Sequence, residues 1–298
     1  MTAVVSRPGG VGAASPVGRG PARRRRHRLA DRPWSLWLAL SYVAVLAVAA
    51  LAPGFLAPSS PTAVDYAAAL LPPSLEHPFG TDESGRDLYT RIVHGAADSL
   101  SIGLGAAALA IVCAIALGAL AALGPRPIAA LVDRVIEVLF AFPTLLLALL
   151  LIAITGPSAT TQIIAVGLGS APGYARMVRG QIRQAAGSGY VEAAVALGHG
   201  RARILRRHVL PNALRPLVAV AALAVGQSIV WASSLSFLGL GVAPPSPEWG
   251  ALLDAGRPYV IQAGWLIVIP GLVIVALALA ATSIGRHLQH RLESGARA

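Results

Sequence analysis

Lysine is absent from this sequence: all 24 of its cationic residues are arginine. That excludes chemistry needing a side-chain amine, including Schiff bases, lysine nucleophiles and the P-loop lysine that reaches a nucleotide's phosphates. Any ATP that drives this protein is therefore expected on another chain. Charge is scarce as well, at 12% of residues, where ordinary globular domains carry roughly 25%. Cysteine is nearly missing, since Cys113 stands alone in an apolar run, so no internal disulfide can form and that residue reads as a small buried hydrophobe. In their place stands apolar material: 55% of the 298 residues, with a mean hydropathy of +0.67. A chain of this composition is solvated by lipid, and membrane spans become its structural unit.

Five stretches contain no Asp, Glu or Arg: Pro33 to Val64, Ser99 to Pro125, Val138 to Ala175, Pro216 to Pro247 and Pro258 to Gly285. A crossing needs about 20 apolar residues. The stretches predict six transmembrane helices, at about Trp34–Ala52, Leu100–Leu123, Val135–Thr155, Thr160–Arg179, Leu214–Leu238 and Gly264–Gly285. The third stretch holds two of them, because Gly156-Pro157-Ser158 is a turn signal. Pro143 and Pro270 are expected to kink their helices. Twenty-one arginines fall on one side of this layout, and only Arg86, Arg91 and Arg257 on the other. The positive-inside rule then places both termini and the Arg176–Arg215 loop in the cytoplasm. Topology and anionic headgroups account for the basic excess, so no nucleic-acid partner is expected. Ala47-Val48-Ala49 resembles a signal cleavage site, but the preceding run is too long for a signal core, and Trp34 and Trp37 anchor it as a retained helix. Residues 1–32, rich in Gly, Pro and Arg, read as a disordered cytoplasmic tail, and 286–298 as a second short tail.

None of the six predicted helix centres carries an ionisable residue. Ion-coupled transporters place such residues at mid-bilayer, and a membrane enzyme needs an acid, base or metal cluster. Both classes are disfavoured, and His287 with His290 lacks a third metal ligand. Small residues are plentiful instead, among them Gly103, Gly118, Gly167 and Gly226. They permit close backbone approach, which suits either a tightly packed bundle or one whose helices shift.

The cytoplasmic loop between the fourth and fifth spans has the pattern of two short amphipathic helices. Tyr190, Ala193, Ala194 and Leu197 share one arc with Glu192 roughly opposite, and Gly198-His199-Gly200 breaks the first helix. Ile204, Leu205, His208 and Val209 then share an arc opposed to Arg203, Arg206 and Arg207, and Pro211 is expected to stop the second helix. Periodicity alone leaves open an interfacial helix lying in the headgroups or an elbow that transmits force.

Glu192-Ala193-Ala194, with Gly198, His208, Leu210 and Pro211 following at fixed spacing, resembles the EAA loop of ABC-importer permeases. His208 stands where the general pattern has isoleucine, and Arg207-His208-Val209-Leu210-Pro211-Asn212 is similar to the dipeptide, oligopeptide and nickel branch. Two external segments agree with the C-type subunits of that branch: His77-Pro78-Phe79-Gly80-Thr81-Asp82 with Gly85-Arg86-Asp87, and Pro244-Pro245-Ser246-Pro247-Glu248-Trp249-Gly250. The resemblance runs from about Trp34 to the last span.

It implies the all-α, six-helix fold of type I ABC-importer permeases, with an external segment at 54–97 and a core at 98–285 that carries coupling helices at 186–211. It implies a non-catalytic subunit forming half of a translocation pathway, without cofactors of its own. The expected partners are a B-type permease, two ATPase subunits that bind ATP and magnesium, an external substrate-binding protein, and lipid. Glu192, Ala193, Ala194, Leu197, Gly198, His208, Leu210 and Pro211 would seat the loop on the ATPase. Asp82, Arg86, Asp87, Glu248 and Trp249 would face the binding protein. Dipeptide, longer peptide, nickel or another solute remain open as cargo, and a channel or scaffold is the alternative of another class.

Overall fold

The computed structural model describes residues 33–295, so the tail expected at 1–32 lies outside the described residues. Its helices are α1 (Pro33–Leu51), α2 (Pro53–Leu56), α3 (Leu88–Leu123), α4 (Arg126–Ala141), α5 (Thr144–Thr155), α6 (Ala159–Ala186), α7 (Gly189–Ala196), α8 (Arg201–Ile204), α9 (Leu210–Leu235), α10 (Trp249–Gly256) and α11 (Trp265–Gly295). Wide π turns at Leu205–Val209 and Ser236–Leu240 extend α9 in both directions. Among the described residues the only β pairing is an isolated bridge from Thr81 to Asp87.

Four helical segments are long and apolar enough to cross a membrane: Trp34–Leu51, Leu88–Leu123, Arg201–Leu240 and Trp265–Leu292. The pair α4–α5 makes a fifth when its two arms count as one crossing. The six spans expected from sequence are thus not all matched by apolarity. α6 has the length at 28 residues, but polar and small side chains dilute its hydropathy. The third span is also broken rather than kinked, with 93° between α4 and α5. Phe142 is extended (φ −80°, ψ 134°), the conformation that a following proline imposes, and the chain restarts at α5 after Pro143.

α11 runs through Pro270 without interruption. Pro211 behaves unlike the expectation: it does not stop the second helix of the loop, because the helical run from Arg201 passes through it into α9. The reason lies one turn earlier: the Leu210 N–H donates to the Leu205 carbonyl in an i→i+5 turn, and that widening accommodates a proline ring lacking its own N–H. α3, for its part, begins twelve residues before the predicted span, where Asp87 caps it by accepting from the Thr90 N–H at 2.8 Å.

α3 and α6 form the most extensive helix pair, with α9 against both and α1 and α11 outside them. Close approach is built in: a Cβ on Gly118 would lie 2.7 Å from Val178. The core divides along the bundle. One cluster gathers Leu88, Ile92, Trp249, Leu252 and Leu266, a second Ile102, Ile152, Val166 and Leu235, and a third, at the 186–211 elbow, Val178, Ile182, Val191, Ala194, Ile204 and Val209. Large apolar side chains such as Val112, Ile154, Leu272 and Leu279 face outward, as lipid-facing surfaces require. Cys113 lines an apolar cleft of about 430 Å³ beside Leu117, Leu150 and Pro172, half-buried rather than enclosed.

Candidate functional site

The elbow at 186–211 is assembled on the C-terminal end of α6. After Gly187 the chain turns into α7, whose Val191 and Ala194 are buried against Ile182 and Ala185 of α6. The remaining α7 side chains point away. Tyr190, Glu192, Ala193 and Leu197 are all exposed, Leu197 at 76%. The arc read from the sequence as one apolar face is therefore split, with only Ala194 turned inward. Such a face on the polar end of a protein is a signature of an interaction surface rather than of packing. Glu192 has no hydrogen-bond or ion-pair partner among the described residues.

Gly198 closes α7 with φ +75°, a left-handed conformation that costs an L side chain about 1–2 kcal/mol. Nothing lies within 4 Å of the position a Cβ would take there, so backbone conformation, not crowding within this chain, demands glycine. His199 and His208 then stack across the turn, ring centroids 6.1 Å apart and 16° from parallel. This pairing was not anticipated from the sequence, where only His208 was singled out. Ile204 and Val209 are buried in the same cluster as Val191 and Ala194, and Leu210 is half-buried. Pro211 and Asn212 are exposed, Asn212 donating from Nδ2 to the His208 carbonyl at 2.7 Å. The elbow is thus bonded to the bundle on one face and open on the other. Beneath it, Asp133 of α4 pairs with Arg179 and Arg183 of α6, which locks the α4 arm to the helix that carries the elbow.

Of the residues expected to face a binding protein, Asp82, Glu248 and Trp249 are buried. Asp82 is 2% exposed. It accepts from the Ser84 and Arg86 backbone N–H groups at 2.9 and 3.0 Å, from Arg86 Nε at 2.7 Å, and from Arg91. Arg86 also bonds Glu83 at 2.7 Å, and Asp87, besides capping α3, meets His77 Nδ1 at 3.1 Å. Glu248 is 2% exposed and caps α10, accepting from the Gly250 and Ala251 N–H groups at 2.9 and 2.8 Å. Trp249 is fully buried and donates from Nε1 to the Ile92 carbonyl at 2.9 Å. These residues fasten the external segment and the 242–250 loop onto α3. A buried charge needs its partners inside; Asp82, Glu248 and Trp249 are enclosed by the chain itself, whereas Arg86 and Asp87 stay partly exposed. The outward points nearby are Tyr66, Leu75 and the Ala243–Pro245 tip.

The network continues inward through residues not singled out from sequence. Ser236 of the outer π turn hydrogen-bonds Glu248 and accepts from Gln162 Nε2 of α6 at 2.7 Å, and Gln162 also donates to the Ala232 carbonyl at 3.2 Å. Gln162 is 0% exposed. Its signal was present, since it is the one amide in the apolar stretch from Val138 to Ala175. Burial pushes the Glu248 carboxyl above the usual carboxylate range, against the lowering effect of its hydrogen bonds.

Residues 114–294 match the family model described as the binding-protein-dependent transport system inner membrane component. The dipeptide transport system permease protein DppC of Alkalihalophilus pseudofirmus is 39% identical over 221 residues, which is 74% of this chain and 73% of that protein. The di/tripeptide transport system permease protein DppC of Pseudomonas aeruginosa is 40% identical over 214 residues, 72% and 71% of the two chains. A solved structure of an amino acid ABC transporter superposes with a TM-score of 0.58 at 18% identity, covering 68% of this chain and 94% of that one, a likeness of fold. The broken third helix, the two-helix elbow and these relatives lead to one assignment: the chain belongs to the binding-protein-dependent transport system inner membrane component family, the multi-pass permease subunits of ABC importers.

Proposed function

We propose that this subunit forms half of the pathway of an ATP-driven importer of dipeptides or short oligopeptides, and that residues 186–211 receive the motion of a separate ATPase. The peptide assignment is supported by the relatives' names. The coupling assignment is carried by one observation, the exposed apolar arc of α7 ending at left-handed Gly198. That arc, with Glu192 unpaired beside it, is complementary to a groove on another protein. The elbow is clamped between α6 and α9, so force applied to it is passed to both helices, and a bundle with two packed states converts a small shift into alternating access.

On this reading α6 is a sixth crossing. It is less apolar than the others because its sides are covered by α3, α5 and α9 rather than lipid. Both termini and the elbow lie in the cytoplasm, a B-type permease supplies the other half of the pathway, and an external binding protein delivers cargo to the opposite face. ATP and magnesium are held by the ATPase subunits.

The elbow has a direct test. Gly198→Asn keeps access to the left-handed region, which asparagine tolerates, while adding a side chain that meets nothing in this chain. The variant is expected to insert and assemble with the second permease yet lose at least about tenfold in peptide uptake, equivalent to about 1.4 kcal/mol of coupling. Uptake at the wild-type rate would end the coupling assignment.

A further inference from the structure

Once the elbow is assembled, the charges left over around it are nearly all of one sign. Arg201, Arg203, Arg206 and Arg207 project from α8 and the following π turn, and all four are exposed. None has an ion pair or hydrogen-bond partner for its guanidinium among the described residues. Other arginines at this end are engaged: Arg179 and Arg183 hold Asp133, and Arg176 lies 4.4 Å over the Phe140 ring. Ile204 and Val209, from the same stretch, are buried against the bundle, so the arginine row lies on the side turned away from it.

Two kinds of anionic surface could meet this row, lipid headgroups or a protein, and helix length decides between them. The helix is continuous from Arg201 to Leu240, and its charge-free part begins after Arg215. At about 1.5 Å per residue, Arg207 lies about 12 Å and Arg201 about 21 Å beyond Arg215 along the axis. Headgroups add only roughly 5–8 Å to each side of the hydrocarbon core, and screening acts over about 8 Å at physiological salt. With the helix normal to the bilayer, Arg215 reaches the headgroups, Arg206 and Arg207 stand just outside them, and Arg201 and Arg203 lie more than a screening length beyond.

We infer that Arg201, Arg203, Arg206 and Arg207 dock on an acidic rim of the protein bound at the elbow. This rests on the coupling assignment, under which that protein is the ATPase: the α7 arc enters an apolar groove, and the arginine row meets carboxylates along its edge. Charge matching of this kind governs encounter rate and salt dependence, so it also sets how readily the motor attaches.

The test uses the whole assembly. The two permeases and the ATPase subunits are co-expressed, captured through this chain, and placed in nanodiscs of zwitterionic lipid with or without anionic lipid. ATPase retention is then followed as NaCl is raised. Wild type should lose ATPase progressively with salt. The triple variant R203E/R206E/R207E should retain at least about tenfold less at low salt and show little further salt dependence. R203K/R206K/R207K should keep both properties, whatever the lipid. Retention and salt slope unchanged in the glutamate variant would overturn the inference, as would losses that follow lipid composition and so assign the row to headgroups. A wild-type assembly that holds no ATPase at any salt would instead remove the coupling assignment itself. Should the glutamate variant fail to insert, single Arg→Gln changes at 203, 206 and 207 replace it; stepwise weakening of the salt slope supports the inference, and an unchanged slope refutes it.

Discussion

The two ends of the molecule treat charge in opposite ways. At the end that carries the 54–97 segment, Asp82, Arg86, Arg91 and Glu248 are buried or half-buried, and each finds partners within the chain. At the elbow, the side chains of Glu192 and the four arginines of 201–207 are exposed and have none among the described residues. Apolar side chains do not divide so cleanly: Trp249 and Leu88 are enclosed at the first end while Leu75 and Ile261 are bare there, and Leu197 and Val195 are bare at the elbow. An end whose charges are mostly paired within the chain holds its own shape. An end with unpaired charge beside exposed apolar surface is complete only against something else. Gly95 illustrates the closed end, since a Cβ there would fall 1.9 Å from the Pro247 carbonyl oxygen; the 242–250 loop is pressed onto α3.

The largest effect should come from opening the closed end. Arg91→Met leaves Asp82 buried with Arg86 as its remaining cation, and removing one partner of a buried pair costs about 3–5 kcal/mol. Thermal unfolding of the purified chain in detergent should register the loss, and an unshifted midpoint would mean that this clasp holds nothing. A smaller effect is tied to pH. Because burial raises the Glu248 carboxyl, the folded protein keeps that proton to higher pH than the unfolded chain does. The linked stability is therefore full below the unfolded carboxylate range and is lost as pH rises through the raised value. Glu248→Gln, which keeps one capping oxygen, should flatten this part of the stability profile, and an identical pH slope in the two proteins would contradict it. The smallest effect on folding belongs to the open end. Leu197→Ala should change unfolding by no more than about 0.5 kcal/mol while reducing ATPase retention, so a large loss of stability there would show that the elbow is packed after all.

Much of this was legible beforehand, for identifiable reasons. Ser158 caps α6 where the turn signal placed its start, its Oγ accepting from the Thr161 N–H at 3.1 Å, because a cap is a local event three residues long. Gly198 was recognisable as an elbow because only glycine enters the left-handed region freely. Pro143 was expected to bend its helix, and bends it, but nothing local sets an angle of 93°. Pro211 misled for the opposite reason: the rule that proline ends a helix assumes an α turn before it, and the π turn at 205–209 removes the conflict.

The sequence by itself determined that the chain is built of membrane-spanning helices and where the EAA-like elbow falls, since both follow from residue type and short spacing. Only the tertiary structure decided which charges are spent inside and which remain free. Asp82 and Glu248 lie 166 positions apart, and both read as exposed acids until α3 and the 242–250 loop close over them. Burial depends on which distant segments meet, and the cost of stranding a charge then dictates the bonds it makes.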